Sequence, residues 1–330
     1  MTSRAGEFDL IARYFAPLAG DGRVRALGLT DDAALLVPRA DSELVLTADA
    51  LVAGVHFLPD DPPALVARKA LRVNLSDLAA KGATPLAYLL CLSLPAETRE
   101  AWVAGFAEGL AADQEAFAIT LAGGDTTSTP GPLTIAITAI GEVASGAMLR
   151  RSGAKPGDEI WVSGTIGDAA LGLRVLRDGA GAQLPAVLRD ELADRYRLPR
   201  PRLALGMALA GSGVAAMDVS DGLVQDLGHV ARLAGCRAIV DEDAIPFSTA
   251  AAALIAGDPT MRDVALAGGD DYELLVAAPP SQAPRLAAAS RDADTPLRRI
   301  GRLVAGGEGV ALRDREGRER RLARGGWTHF

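Results

Sequence analysis

The sequence predicts two domains in tandem, an α+β N-terminal domain followed by an α/β C-terminal domain. Three observations carry that expectation. The chain has 330 residues, more than one hydrophobic core usually serves. Apolar runs of strand length alternate with longer segments of helical spacing in both halves. Between them, 145–158 is rich in Gly, Ser, Arg and Pro and follows a predicted strand, so the domains are expected at 1–145 and 146–330.

In the first half, Phe8, Leu10, Ile11, Tyr14, Phe15 and Leu18 recur at helical spacing, so the chain opens with a helix. A short strand over 44–47 ends at Asp49. A long helix over 63–83 has prolines at its start, where they are tolerated. Then come a buried strand over 86–94, a helix over 97–117, a strand over 119–122 that runs into Gly123-Gly124-Asp125, and a strand over 133–143. The second half reads as strand 159–163, helices 169–177 and 202–210, strand 214–219, helix 223–234 and strand 237–240. An Ala-rich helix follows, then strand 272–277, a helix near 281–290, and strands 298–304 and 310–312. No short-period repeat is present.

Composition narrows the function. The formal net charge is −8 and no Lys/Arg cluster offsets it, which argues against a nucleic-acid partner. The Arg-rich stretch 313–324 is interleaved with Asp314, Glu316 and Glu319 and reads as a solvated hairpin. No apolar run reaches the ~18 residues of a membrane span, and the N-terminus lacks the basic start and apolar stretch of a signal peptide. Cys91 and Cys236 read as buried small hydrophobes in a reducing compartment. A cytoplasmic location is the expectation.

The aspartates carry the chemical signal. Six clusters stand beside small residues: Asp31-Asp32, Asp49, Asp77, Gly123-Gly124-Asp125, Asp218-Val219-Ser220-Asp221-Gly222 and Gly268-Gly269-Asp270-Asp271. Turns alone use Asp and Gly in this way, but several of these follow apolar runs, and strand ends are where α/β folds hold ligands. Carboxylates gathered without His or Cys suit a hard cation such as Mg²⁺. Magnesium would also let an acidic protein bind an anion such as ATP. The Walker phosphate loop, the protein-kinase catalytic loop, a zinc site and a Gly-x-Ser-x-Gly elbow are all missing. Arg150-Arg151 offers forked donors to phosphate. Gly164-Thr165-Ile166-Gly167-Asp168 offers either a phosphate-binding helix start or a plain strand-to-helix turn.

Taken in order, these segments resemble the thiamine-monophosphate kinase family of the aminoimidazole-ribonucleotide-synthetase-like superfamily. The resemblance rests on Gly-Glu-Phe-Asp-Leu-Ile-Ala-Arg-Tyr-Phe (6–15), Asp-Asp-Ala-Ala-Leu (31–35), Asp-Ala-Leu-Val-Ala-Gly-Val-His-Phe (49–57) and Arg-Lys-Ala-Leu-Arg-Val-Asn-Leu-Ser-Asp-Leu-Ala-Ala (68–80). It continues through Gly-Gly-Asp-Thr-Thr (123–127), Arg-Ser-Gly-Ala-Lys-Pro-Gly-Asp (151–158), Asp-Val-Ser-Asp-Gly-Leu (218–223), Gly-Gly-Asp-Asp-Tyr-Glu-Leu (268–274) and Trp-Thr-His-Phe (327–330). It implies a PurM-like two-domain architecture whose N-terminal sheet makes a homodimer. The implied reaction is direct phosphoryl transfer from ATP to thiamine monophosphate, without a phosphoenzyme or covalent nucleophile. Carried over by position, Asp32, Asp49, Asp77, Asp125, Asp218 and Asp221 would hold Mg²⁺, with Thr47 and Ala48 nearby. Gly124, Asp125, Arg151 and Ser220 would meet ATP, and His56, Asp270 and Trp327 the thiamine phosphate.

The chain departs from the family pattern at Thr30, Ala48, Lys81 and Asp270. Ala48 can offer only a backbone carbonyl, and Asp270 is one methylene shorter than the usual Glu. Two rival readings are another ATP-using member of the superfamily, such as an aminoimidazole ribonucleotide synthetase, and a non-catalytic nucleotide-binding protein. The first cysteine is Cys91 and the last residue is Phe330, which fits neither a selenophosphate synthetase nor a hydrogenase-maturation relative.

Overall fold

A computed structural model describes residues 6–323 and 325–328. It divides into two compact units, one up to Leu78 plus Ala83–Gly146, the other Ala79–Gly82 plus the chain from Ala147 onward.

The first unit opens with α1 (Glu7–Leu10), extended to Leu18 by irregular helical turns. A small ribbon pairs β1 (Val24–Arg25) with β2 (Leu35–Leu36). The main sheet contains β3 (Ser42–Val52), β4 (Thr84–Pro95), β5 (Thr120–Thr129) and β6 (Thr134–Ala144) in the order β3-β6-β4-β5. Only β4 and β5 run parallel. Helices α2 (Pro63–Ala80) and α3 (Glu100–Phe117) belong to the same unit and bury Leu71, Leu75, Leu78, Val103, Phe106 and Leu110. The fully buried carboxylate of Asp113 on α3 accepts from Arg68 and Arg72 on α2, at 2.9 and 2.6 Å. An unpaired charge at that depth would cost several kcal/mol.

Strand alternation divides this sheet into two unlike faces. Val45 and Leu51 are buried, while Leu46 is 63 % exposed. The registers set Ala48, Thr138, Leu89 and Gly123 in one cross-strand row, and Ala50, Ala136, Cys91 and Asp125 in the next. Leu89 and Cys91 are exposed. The strand expected to be buried is therefore buried on one face only, and Cys91 lies on the open face rather than in the core. A run of apolar residues does not reveal that its outward side chains lack a cover.

Two further expectations need correction. The strand expected to end at Asp49 runs on to Val52, so Asp49 is mid-strand. The strand expected to stop at Ala122 continues through Gly123-Gly124-Asp125 to Thr129. Polar residues and glycines looked like strand ends, but a ladder is sustained by backbone pairing, which tolerates them on an edge strand.

The second unit contains, in chain order, β7 (Glu159–Ser163), α4 (Asp168–Asp178), α5 (Ala186–Arg197), α6 (Leu203–Leu209), β8 (Ala215–Asp218), α7 (Leu223–Leu233) and β9 (Cys236–Asp241). These are followed by α8 (Thr249–Gly257), α9 (Met261–Ala267), β10 (Leu274–Ala278), α10 (Ala283–Asp292), β11 (Leu297–Ala305), β12 (Val310–Arg313) and β13 (Glu319–Arg320). The strands form one seven-stranded sheet, β13-β12-β9-β11-β7-β10-β8, in which β9 and β12 are the parallel pair. Ile160, Val162, Met217, Leu227, Val240, Leu275, Ile300 and Leu303 form its core. The sequence reading left α5 unassigned. Its polar residues mask Leu188, Leu192 and Tyr196, whose spacing of four is the helical signal.

Candidate functional site

In the first unit the candidate residues fall into two groups. Thr47 and Asp49 sit on the β3 face opposite Ala48, and Asp77 is near the end of α2. The Thr47 hydroxyl donates to the Asp77 carboxylate. Burial, reinforced by the charge of Asp77, pushes the Asp49 carboxyl up to about 6. Among the described residues no ion pair reaches either carboxylate. Two like charges in a half-buried place with no cation is the arrangement that a hard divalent ion relieves.

The second group lines a cleft. Asp31, Asp32, Gly124 and Asp125 line it together with the apolar Ile11, Phe15, Leu29 and Leu121. Gly124 has φ +153°, and a Cβ there would come within 1.8 Å of the Leu90 carbonyl oxygen. The glycine thus allows β5 to hug β4 just before Asp125. His56 is half-buried in the turn after β3, and its Nδ1 accepts from the Val52 N–H at 3.0 Å. That bond assigns the neutral ring's proton to Nε2.

In the second unit, Asp218 is buried at the end of β8 and leads into the turn 219–222. The Asp226 carboxylate, inside the first turn of α7, accepts from the N–H groups of Ser220 and Asp221, both at 3.0 Å. Burial, with help from the Asp221 charge, pushes Asp226 up to about 7. Two other segments dock on this turn through their backbones. Asp270 N–H donates to Ser220 O at 2.9 Å, and Trp327 N–H donates to Asp221 O at 3.0 Å. Arg151 is exposed, and its positive charge acts on Asp226 and His229.

The loop bearing Asp270 is anchored from both sides. Asp270 itself has φ +71°, and its Oδ1 accepts from the Tyr272 hydroxyl at 3.1 Å. Asp271 is buried, and its Oδ2 accepts from Gly167 N–H at 2.7 Å. Burial raises the Asp271 pKa well above the ordinary carboxylate range. Glu273, fully buried, accepts from Arg195 at 3.0 Å, from Arg202 at 2.6 and 2.5 Å, and from the Ser163 hydroxyl at 2.6 Å.

Ser220, Asp221, Asp270 and Trp327 are thus gathered in one region, Thr47, Asp49 and Asp77 in another, and Asp32, Gly124 and Asp125 in a third. Ala48 faces away from its neighbours Thr47 and Asp49. Among the described residues no group of three or more His, Cys, Asp or Glu side chains is close enough to hold a metal ion unaided. The Gly164–Asp168 turn takes the plainer of its two readings: Gly164, Ile166 and Gly167 spend their N–H groups on Pro296 O, Pro246 O and Asp271. His329 and Phe330 of the terminal motif lie outside the described residues. Sequence reasoning flagged Asp271 within the Gly268-Gly269-Asp270-Asp271 cluster without a role of its own, and it missed Asp226 and Glu273. Asp226 is an acid in the first turn of the helix predicted over 223–234, which is a helix-start signal. Glu273 gave none, because its arginine partners are far away in sequence.

The chain matches two family models, the AIR synthase related protein N-terminal domain over residues 30–143 and the C-terminal domain over 155–313. It is 44 % identical to the thiamine-monophosphate kinase of Caulobacter vibrioides over 98 % of this chain and 90 % of that one. The crystal structure of thiamine-monophosphate kinase from Stenotrophomonas maltophilia K279a is 45 % identical, with a TM-score of 0.82 over 93 % of this chain and 96 % of that one. A structure of AaThiL complexed with AMPPCP and TMP covers all of both chains at 30 % identity, with a TM-score of 0.76. Among the described residues no helix is long and apolar enough to cross a membrane.

Proposed function

The chain belongs to the AIR-synthase-related family and, within it, to the thiamine-monophosphate kinases, and from that premise we propose that it transfers the γ-phosphoryl group of ATP to thiamine monophosphate. A phosphate oxygen of thiamine monophosphate attacks the γ-phosphorus. The bond from that phosphorus to the β–γ bridging oxygen breaks, and ADP leaves with the electron pair. The observation that carries this reading is the docking of the Asp270 and Trp327 segments on the Ser220–Asp221 turn, which joins candidate substrate contacts to candidate phosphate and metal contacts.

Asp32, Asp49, Asp77, Asp125, Asp218 and Asp221 are the proposed Mg²⁺ ligands, with Thr47 and the Ala48 carbonyl beside them. The uncompensated Asp49–Asp77 pair supports that assignment. Magnesium, when bound, would neutralise phosphate charge and align donor with acceptor. Gly124, Asp125, Arg151 and Ser220 orient ATP: the glycine admits close backbone approach, and Arg151 supplies forked N–H donors. His56, Asp270 and Trp327 hold thiamine monophosphate, with the indole stacked on its cationic ring system.

The N-terminal domain, 1–145, is proposed to carry metal and ATP ligands and the dimer contact, and 146–330 the remaining contacts. A second copy seated on the open sheet face would cover Leu44, Leu46 and Leu89, which are 40, 63 and 38 % exposed; apolar surface of this kind favours association. A cytoplasmic location agrees with two free cysteines.

ADP release tests the reaction. We expect release that needs both thiamine monophosphate and Mg²⁺, and calorimetric ATP binding that collapses with excess chelator. Release driven equally by an aminoimidazole precursor, or ATP binding of equal strength without metal, would overturn the reading.

A further inference from the structure

Trp327 is 48 % exposed, so burial does not fix where its ring points. Its backbone is nevertheless held at both ends of the residue. The N–H donates to Asp221 O at 3.0 Å, and the carbonyl accepts from the Gln225 side-chain amide at 2.6 Å. The same amide nitrogen donates to the Asp221 carboxylate at 3.3 Å. One carboxamide in the first turn of α7 thus ties the tail to the turn that carries a candidate metal ligand. The preceding residue makes that approach possible. Gly326 is buried, and a Cβ on it would sit 2.4 Å from the Gln225 Cβ and 2.6 Å from Asp221 O. Any larger residue would lift the tail off the helix start.

We propose that Gln225 and Gly326 are positioning residues for the kinase reaction, clamping Trp327 against the Asp221 turn so that its ring presents one fixed face to thiamine monophosphate. Gln225 grips the Trp327 carbonyl, and Gly326 gives the clearance that the grip needs. The inference rests on the reading that Trp327 contacts that substrate.

Three variants of the full chain separate the two claims. Trp327→Ala removes the ring, Gly326→Ala displaces the tail with the ring intact, and Gln225→Ala removes the grip. All three should raise KM for thiamine monophosphate, by about tenfold for Trp327→Ala and Gly326→Ala and about threefold or more for Gln225→Ala. KM for ATP should stay within about twofold of wild type for Trp327→Ala and Gly326→Ala, with melting temperatures little changed, as expected for a half-exposed tail. Gln225→Ala should in addition raise the Mg²⁺ concentration for half-maximal activity, because the Asp221 carboxylate loses the donor that fixes its orientation. If Trp327→Ala leaves KM for thiamine monophosphate unchanged, the substrate reading of Trp327 fails and the inference with it. If Trp327→Ala raises that KM while Gly326→Ala and Gln225→Ala do not, the reading stands and the clamp is wrong. Early melting with both Michaelis constants raised together would reduce the two residues to packing.

Discussion

Two acidic spots on the sheet of the first unit have opposite electrostatics. At one end, Glu142 on β6 is 3 % exposed yet charged, because Arg23 donates to it at 2.7 and 2.5 Å and Arg39 lies 3.3 Å away. Those bonds hold its pKa down to about 2. Further along, Asp49 on β3 faces Asp77 without a cation and is pushed up to about 6. The second unit repeats the contrast. Glu273 is saturated by Arg195 and Arg202, whereas the Asp221 carboxylate accepts from the neutral amide of Gln225. A carboxylate whose charge is already balanced belongs to the fold. One that the fold holds without balance is set to take its counter-ion from outside.

The contrast breaks most sharply by substitution. Asp77→Asn should lower turnover on the order of 100-fold or more, since it neutralises a proposed metal ligand. The same change should raise the melting temperature measured with chelator, because the repulsion with Asp49 disappears. Steady-state ADP release and calorimetry read the two effects. Turnover close to wild type would assign Asp49 and Asp77 to the fold after all.

Glu142→Gln should do the reverse. It removes a balanced charge, so we expect a loss of about 1–2 kcal/mol in stability, limited by the solvent exposure of Arg23 and Arg39. Turnover of the folded enzyme should change by less than about twofold. Urea unfolding beside kinetics checks this, and a turnover loss as large as that of Asp77→Asn would erase the distinction.

The smallest effect is a pH dependence. Asp49 and Asp226 are raised from 3.8 to about 6 and about 7. Their contribution to stability is fully present below 3.8 and is lost as pH rises through those values. Glu142 is lowered from 4.5 to about 2, so its contribution is present above 4.5 and is lost as pH falls through about 2. Without Mg²⁺ the melting temperature should therefore drop by a few degrees between about pH 4 and about pH 7. Saturating Mg²⁺ should flatten that drop by favouring the charged carboxylates. Parallel slopes with and without the ion would separate these groups from metal binding.

Much of this molecule is legible in its sequence. The periodicity that defines β7, α7 and β10 is local, and so is the Asp-x-Ser-Asp-Gly turn between β8 and α7, because Asp and Gly favour such turns through their own backbones. The lack of a Walker loop or a kinase catalytic loop, and the choice of oxygen ligands suited to a hard cation, are also read without a fold. Pairing across the chain decided the rest. Asp49 and Asp125 looked like strand-end residues, but the β3–β6 and β4–β5 registers put them mid-strand. Cys91 looked buried, yet only a partner on the open face could cover it. Glu142 and Asp49 are the same chemistry in one sequence; Arg23 and Arg39 reach only one of them, and that requires β6 to pass beside a loop more than a hundred residues earlier. Trp327 meets Asp221 across a similar gap. Short-range preference fixes which residues can turn, cap or alternate, but charge balance and ligand geometry depend on neighbours that only chain folding brings within a few ångströms.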